Sequence, residues 1–178
     1  MVDERYTTRR IALDASPLIY LANLEALEIF RTSGVHPLVP TTVIDETTTP
    51  ALLYRHPDAA VIRKAVTDGV LEPVQLTAAE RQTAASLATQ IPTMHRGECE
   101  VLALAIERRI PALLVERRAR RVALGLGVAL SDVFELLFDG TPDDDLLAAR
   151  IRRLGRLVDM RLADLEALMA RIPGRRLQ

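Results

Sequence analysis

Five short apolar runs, at residues 10–14, 36–40, 70–76, 110–115 and 127–130, alternate with stretches whose apolar side chains recur every three or four positions. That alternation constrains the fold more than any other feature of the chain. Strands separated by helices pair in parallel, because parallel neighbours need a crossover connection, and a parallel sheet is covered on both faces. The expected fold is therefore α/β, a parallel sheet of about five strands flanked by helices. From residue 141 the pattern is purely helical, through Leu146, Leu147, Ile151, Leu154 and Leu157 and then Leu162, Leu165, Leu168 and Met169. Residues 1–140 are expected to form the α/β domain, and residues 141–178 a helical extension packed on it.

Local signals place the boundaries. Ser16 is expected to cap the first helix, with Pro17 at its first position, because Ser accepts an orphan N–H and proline has none to leave unpaired. That helix is expected to carry Tyr20, Leu24, Leu27 and Phe30. Thr41 or Thr42 leads the next helix, Gly69 stops the one carrying Ile62, Ala65 and Val66, and Thr77 with Glu80 forms a capping box. Further helices are expected at 97–109 and 118–125.

A chain of 178 residues, 49% hydrophobic and 26% charged, has the size and composition of one globular core. Cys99 is the only cysteine, so no intrachain disulfide forms. The first ten residues are charged rather than apolar, and no apolar run is long enough to span a bilayer. A cytoplasmic setting without membrane contact is expected. The net charge of −1 excludes the strong overall field of a basic nucleic-acid binder, so any such contact has to be local.

In an alternating α/β chain the C-terminal ends of strands and the N-terminal ends of the following helices share one edge of the sheet, the edge where such folds bind ligands. Asp14 ends the first run, Glu46 follows the second and Glu116 ends the fourth. Glu98 opens the helix before that fourth strand. A helix over 97–109 rises ~20 Å at 1.5 Å per residue, and the returning strand covers ~23 Å at 3.3 Å per residue, so Glu98 and Glu116 are expected at the same edge. Asp132, after the last strand, has the same address. Carboxylates gathered in this way raise one another's pKa unless a cation neutralises them. Mg²⁺, or Mn²⁺ in its place, suits an all-oxygen set. Zinc does not, since His36, His56 and His95 are scattered and Cys99 stands alone.

Four segments, in order, carry a family resemblance: Leu13-Asp-Ala-Ser-Pro-Leu-Ile-Tyr-Leu21, Val39-Pro-Thr-Thr-Val-Ile-Asp-Glu46, Gly97-Glu-Cys-Glu-Val-Leu-Ala-Leu-Ala105 and Leu113-Leu-Val-Glu-Arg-Arg-Ala-Arg-Arg-Val-Ala123. They resemble the acidic motifs of PIN-domain proteins, and most nearly the toxin-like branch whose third motif is Gly-Glu-Ala-Glu. The resemblance implies a Mg²⁺- or Mn²⁺-dependent ribonuclease acting on RNA, often the toxin of a toxin–antitoxin pair with an antitoxin protein as partner, and often a homodimer. It implies Asp14, Glu46, Glu98 and Glu116 as catalytic metal ligands. The fourth motif departs from the pattern: Glu116 stands where aspartate is usual, and Arg117 where many relatives have a second aspartate. An arginine there can pair with a carboxylate and compete with a metal. Ser131-Asp132 replaces a usual Gly-Thr pair.

Each residue also has a structural reading. An acid near a helix start is favoured by the macrodipole, Asp132 can cap a helix, and Ser16 can either cap or bond a ligand carboxylate. Arg117, Arg118, Arg120 and Arg121 can meet RNA phosphates in a salt-sensitive way or form a solvated face. Arg150, Arg152, Arg153 and Arg156 read as a solvated helix face, and Cys99 as a core residue. The leading expectation is a metal-dependent endoribonuclease. The alternative is a catalytically weakened PIN-like module that binds a protein partner or nucleic acid.

Overall fold

The computed structural model describes residues 9–174, so most of the charged stretch at residues 1–10, and residues 175–178, lie outside the described residues. Five parallel strands form one sheet: β1 (Arg9–Leu13), β2 (Val35–Pro40), β3 (Glu72–Val74), β4 (Ala112–Leu113) and β5 (Leu130–Ser131), in the order β3-β2-β1-β4-β5. The expected fold class is the observed one. Ile11, Ala12 and Leu13 are fully buried in the central strand, as continuous apolar residues must be when both faces are covered. Pro73, which cannot donate to a ladder, sits in β3 at the sheet edge.

Ala12 pairs with Leu38 on one side and Ala112 on the other, and Leu13 pairs with Leu113. The C-terminal ends of β1 and β4 are therefore level. After β1 the chain builds outward through β2 and β3, then crosses back to lay β4 and β5 on β1's other flank. β1 and β4 thus flank a topological switch point, where the connections leave in opposite directions and open a crevice.

Helices fill the connections: α1 (Ala15–Asn23), α2 (Ile29–Thr32), α3 (Thr41–Thr47), α4 (Pro50–Arg55), α5 (Pro57–Thr67), α6 (Ala78–Gln90), α7 (Arg96–Arg108), α8 (Arg117–Gly125) and α9 (Val133–Gly140). The expected first helix is broken in two. α1 ends at Asn23, Glu25 takes a left-handed conformation at φ 50°, and Ala26 N–H bonds back to Leu21 O at 2.9 Å. That turn buries Leu27, and beyond it Phe30 of the short helix α2. Its start also differs from expectation. Asp14 is the cap residue by backbone conformation, which makes Ser16 the second helical residue and Pro17 the third. Proline is tolerated there because the first four helical N–H groups lack intrahelical partners anyway.

α10 (Asp144–Leu157) and α11 (Leu162–Ala170) complete the fold. Arg150 corrects the reading of a solvated arginine face. It is buried, donating to Thr141 Oγ1 at 3.1 Å and Glu25 O at 2.7 Å and pairing with Glu28. It fastens α10 to the turn that divides α1 from α2. Among the described residues no helix is long and apolar enough to cross a membrane.

Candidate metal centre

Asp14 sits where β1 becomes α1, at the switch point. It is 5% exposed, its N–H donates to Leu113 O at 3.3 Å, and its carbonyl accepts from Leu18 N–H at 3.3 Å. Backbone on both sides thus fixes the side chain in the crevice between β1 and β4. Burial pushes its carboxyl up to about 6, with the charges of Glu46 and Glu116 adding to the rise and the Ala15 and Ser16 amides opposing it.

Glu98 is the third residue of α7 and is 6% exposed. Its Oε2 accepts from His95 N–H at 2.8 Å. Burial raises its pKa, and so do a hydrogen bond to the Glu116 carboxyl, the Glu116 charge and the Asp14 charge. Asp14, Glu98 and Glu116, far apart in sequence, therefore share one electrostatic environment, and the meeting of Glu98 with Glu116 is the one expected from the lengths of α7 and the strand after it. Glu116 caps α8 by backbone position and is about half exposed, with its side chain 49% accessible.

Glu46 lies in the helix that follows β2, as expected. It is the sixth of seven residues in α3, beyond the first turn, so the macrodipole does not account for it. It is exposed and lies close to Gly97: a Cβ at that glycine would come within 3.1 Å of Glu46 Oε2 and 3.3 Å of Val43 Cγ2. Gly97 is thus a residue of the site that sequence reading passed over. The signal was a glycine directly before an acid in the first turn of a helix.

The four arginines read as one basic cluster separate in space. Arg118 reaches the acids, with Nη2 3.8 Å from Glu98 Oε2 and Nε 3.8 Å from Glu116 Oε1. Arg120 instead donates to Leu114 O at 2.9 Å. Arg117 and Arg121 are exposed and form no ion pair among the described residues. The pairing expected of Arg117 is made by Arg118, one residue and about 100° of helix later.

Ser16 is half-buried in the first turn of α1. Asp132 acts as a cap: its Oδ1 accepts from Phe134 N–H at 2.8 Å and Glu135 N–H at 3.3 Å, opening α9. Cys99 is buried beside Glu98, and burial raises its thiol pKa.

Among the described residues no three His, Cys, Asp or Glu side chains already surround one point as ligands of an ion do. The chemistry of the donor set nonetheless fits a hard divalent cation. The groups are carboxylates only, two of them buried and raised by their neighbours, and the nearest positive charge satisfies neither Glu98 nor Glu116 with a hydrogen bond. Bare backbone at Gly97 leaves room for the Glu46 carboxylate.

The sequence model of a family described as DUF3368: PIN domain matches residues 10–151, a span that holds all four acids. No curated protein matches the chain.

Proposed function

The chain belongs to the PIN-domain family, and from that premise we propose that it is a Mg²⁺- or Mn²⁺-dependent endoribonuclease whose centre is built on Asp14 and Glu98. PIN domains are in general nucleases that use divalent metal ions. One observation carries the reading: two buried carboxylates at the switch point, each raised by burial and by neighbouring acids. Ionised, such a pair is costly to the fold, because buried carboxylates face one another and among the described residues no cation is hydrogen-bonded to them. A cation removes that cost.

Asp14 and Glu98 would hold the ion, Asp14 rigidly from the strand end and Glu98 from the first turn of α7. Glu46 and Glu116, both more exposed, would complete the set or orient water. The bound ion supplies positive charge for a scissile phosphate and lowers the pKa of a water. Arg117 and Arg121, exposed on the helix that Glu116 opens, are suited to RNA phosphates, and binding through them is salt-sensitive. A role as the toxin of a toxin–antitoxin pair, with an antitoxin partner, a homodimeric state and a cytoplasmic setting, belongs to the same proposal.

A second reading has one observation in its favour. Arg118 stands against both Glu98 and Glu116, and the fourth motif has Glu116-Arg117 where two aspartates are usual. On this reading the chain binds RNA or a protein partner without efficient cleavage. An RNA-cleavage assay in Mn²⁺ on the wild type and Asp14→Asn separates the two. Cleavage that falls at least about a hundredfold in the variant supports the enzyme. Absence of cleavage from pure wild-type protein across several RNAs, with Mn²⁺ bound, supports the binding module.

A further inference from the structure

Arg118 is held in place by two acids and hydrogen-bonded to neither. Both of its ion-pair distances are 3.8 Å, outside hydrogen-bond reach, and its Nε is shielded from solvent with no acceptor. Two other half-buried arginines are tied down. Arg108 Nε lies 2.7 Å from Glu80 Oε1, and Arg120 Nη1 2.9 Å from Leu114 O. Arg150 also has an unpartnered Nε, yet both of its Nη atoms are hydrogen-bonded. Arg118 further stands in the first turn of α8, the helix end where a positive charge is disfavoured. Only the carboxylates reward its position, and they do so loosely. Over a third of the side chain, 37%, remains open to solvent, so a path outward exists.

A divalent ion needs the same oxygens at about 2.1 Å. A guanidinium 3.8 Å from those oxygens then repels it at close range. We infer that Arg118 is a built-in competitor for the cation: its guanidinium and a divalent ion contend for the Glu98 and Glu116 carboxylates, the ion enters by displacing it, and Arg118 thereby sets the cation affinity of the centre. This rests on the cation site proposed above.

The test is calorimetric titration of Mn²⁺ into the full chain at pH 8 and low salt, for the wild type, Arg118→Met and Arg118→Lys. Arg118→Met binds at least about tenfold more tightly than the wild type, the scale of one unit charge removed from a partly screened site. Arg118→Lys, which keeps the charge, stays within about threefold of the wild type. Equal or weaker binding by Arg118→Met, with Mn²⁺ still bound, overturns the inference and leaves the cation site standing. No Mn²⁺ binding by any of the three overturns the cation site and the inference together. A second readout needs no variant: the Arg118 Nε–H resonance of the wild type moves toward its solvent-exposed position as Mg²⁺ is added. A resonance that ignores saturating Mg²⁺ contradicts the displacement.

Discussion

Glu80 and Glu98 occupy the same position in their helices, and their surroundings push them in opposite directions. Each is the third residue inside the helix, each is buried, and each accepts from the backbone N–H of its cap residue, at 2.7 Å from Thr77 and 2.8 Å from His95. The difference lies in the remaining partners. Glu80 takes the Arg108 guanidinium at 2.7 Å. Burial pushes its pKa up, but Arg108 and the Thr77 amide prevail and hold it below the ordinary value. Glu98 faces Glu116 and Asp14, so burial and neighbouring acids act together and raise it. Burial and helix capping alone therefore do not mark a functional acid. What distinguishes Glu98 is that two acids face it and the nearby cation, Arg118 at 3.8 Å, does not hydrogen-bond it.

The contrast breaks most visibly in stability. Arg108→Met leaves Glu80 buried without its cation and is expected to cost about 3–5 kcal/mol in urea unfolding. Glu98→Gln keeps an acceptor for His95 N–H and removes a repelled charge, so it is expected to be neutral or to stabilise by up to about 1 kcal/mol. Equal losses in the two variants would mean that both glutamates are structural.

The pH dependence sharpens the same difference. Asp14 goes from an ordinary 3.8 to about 6 in the folded protein. A raised acid favours folding fully below pH 3.8, and that contribution disappears as the pH rises through 6. The loss is about 3 kcal/mol at 1.36 kcal/mol per unit. Glu80 has the opposite sign: its contribution is present above pH 4.5 and is lost as pH falls through its lowered folded value. Unfolding followed from pH 4 to 7 in EDTA should therefore show Asp14→Asn gaining on the wild type as the pH rises. Glu80→Gln should lose ground over the lower part of that range and hold a constant deficit above it.

Divalent ions give the next effect. Saturating Mg²⁺ at about a hundred times its Kd is expected to stabilise the wild type by about 2.7 kcal/mol. The gain should vanish in Asp14→Asn and persist in Arg108→Met, as read by thermal unfolding. Gly97→Ala is expected to do least. The new methyl meets the movable end of Glu46 at 3.1 Å, and helix propensity offsets part of the strain, so stability changes by less than about 1 kcal/mol. Mn²⁺ affinity should still fall a few-fold as Glu46 is displaced.

Asp14, Glu98 and Glu116 were legible in the sequence because their placement follows from element order and length: strand ends and helix starts meet at one edge whatever the side-chain detail. The features that escaped depend on finer angles or distant contacts. Glu46 sits near the end of α3 because that helix is only seven residues long, a length the sequence did not mark. The helix α1 starts two residues earlier than the Ser16-Pro17 signal indicates, with Asp14 as its cap residue. The substitution of Arg118 for Arg117 beside the acids is a matter of helix phase in the first turn of α8. Burial of Arg150 could not be read locally, since its acceptors at Glu25 and Glu28 lie more than a hundred residues away and exist only because Glu25 turns left-handed.

Crystals soaked in Mn²⁺ and examined by anomalous diffraction put the shared acid environment to its most direct trial. The expected result is a peak between the Asp14 and Glu98 carboxylates in the wild type, with Arg118 swung away, and its loss in Asp14→Asn. A wild-type peak elsewhere, or saturating Mn²⁺ with Asp14 and Glu98 bare, would contradict it.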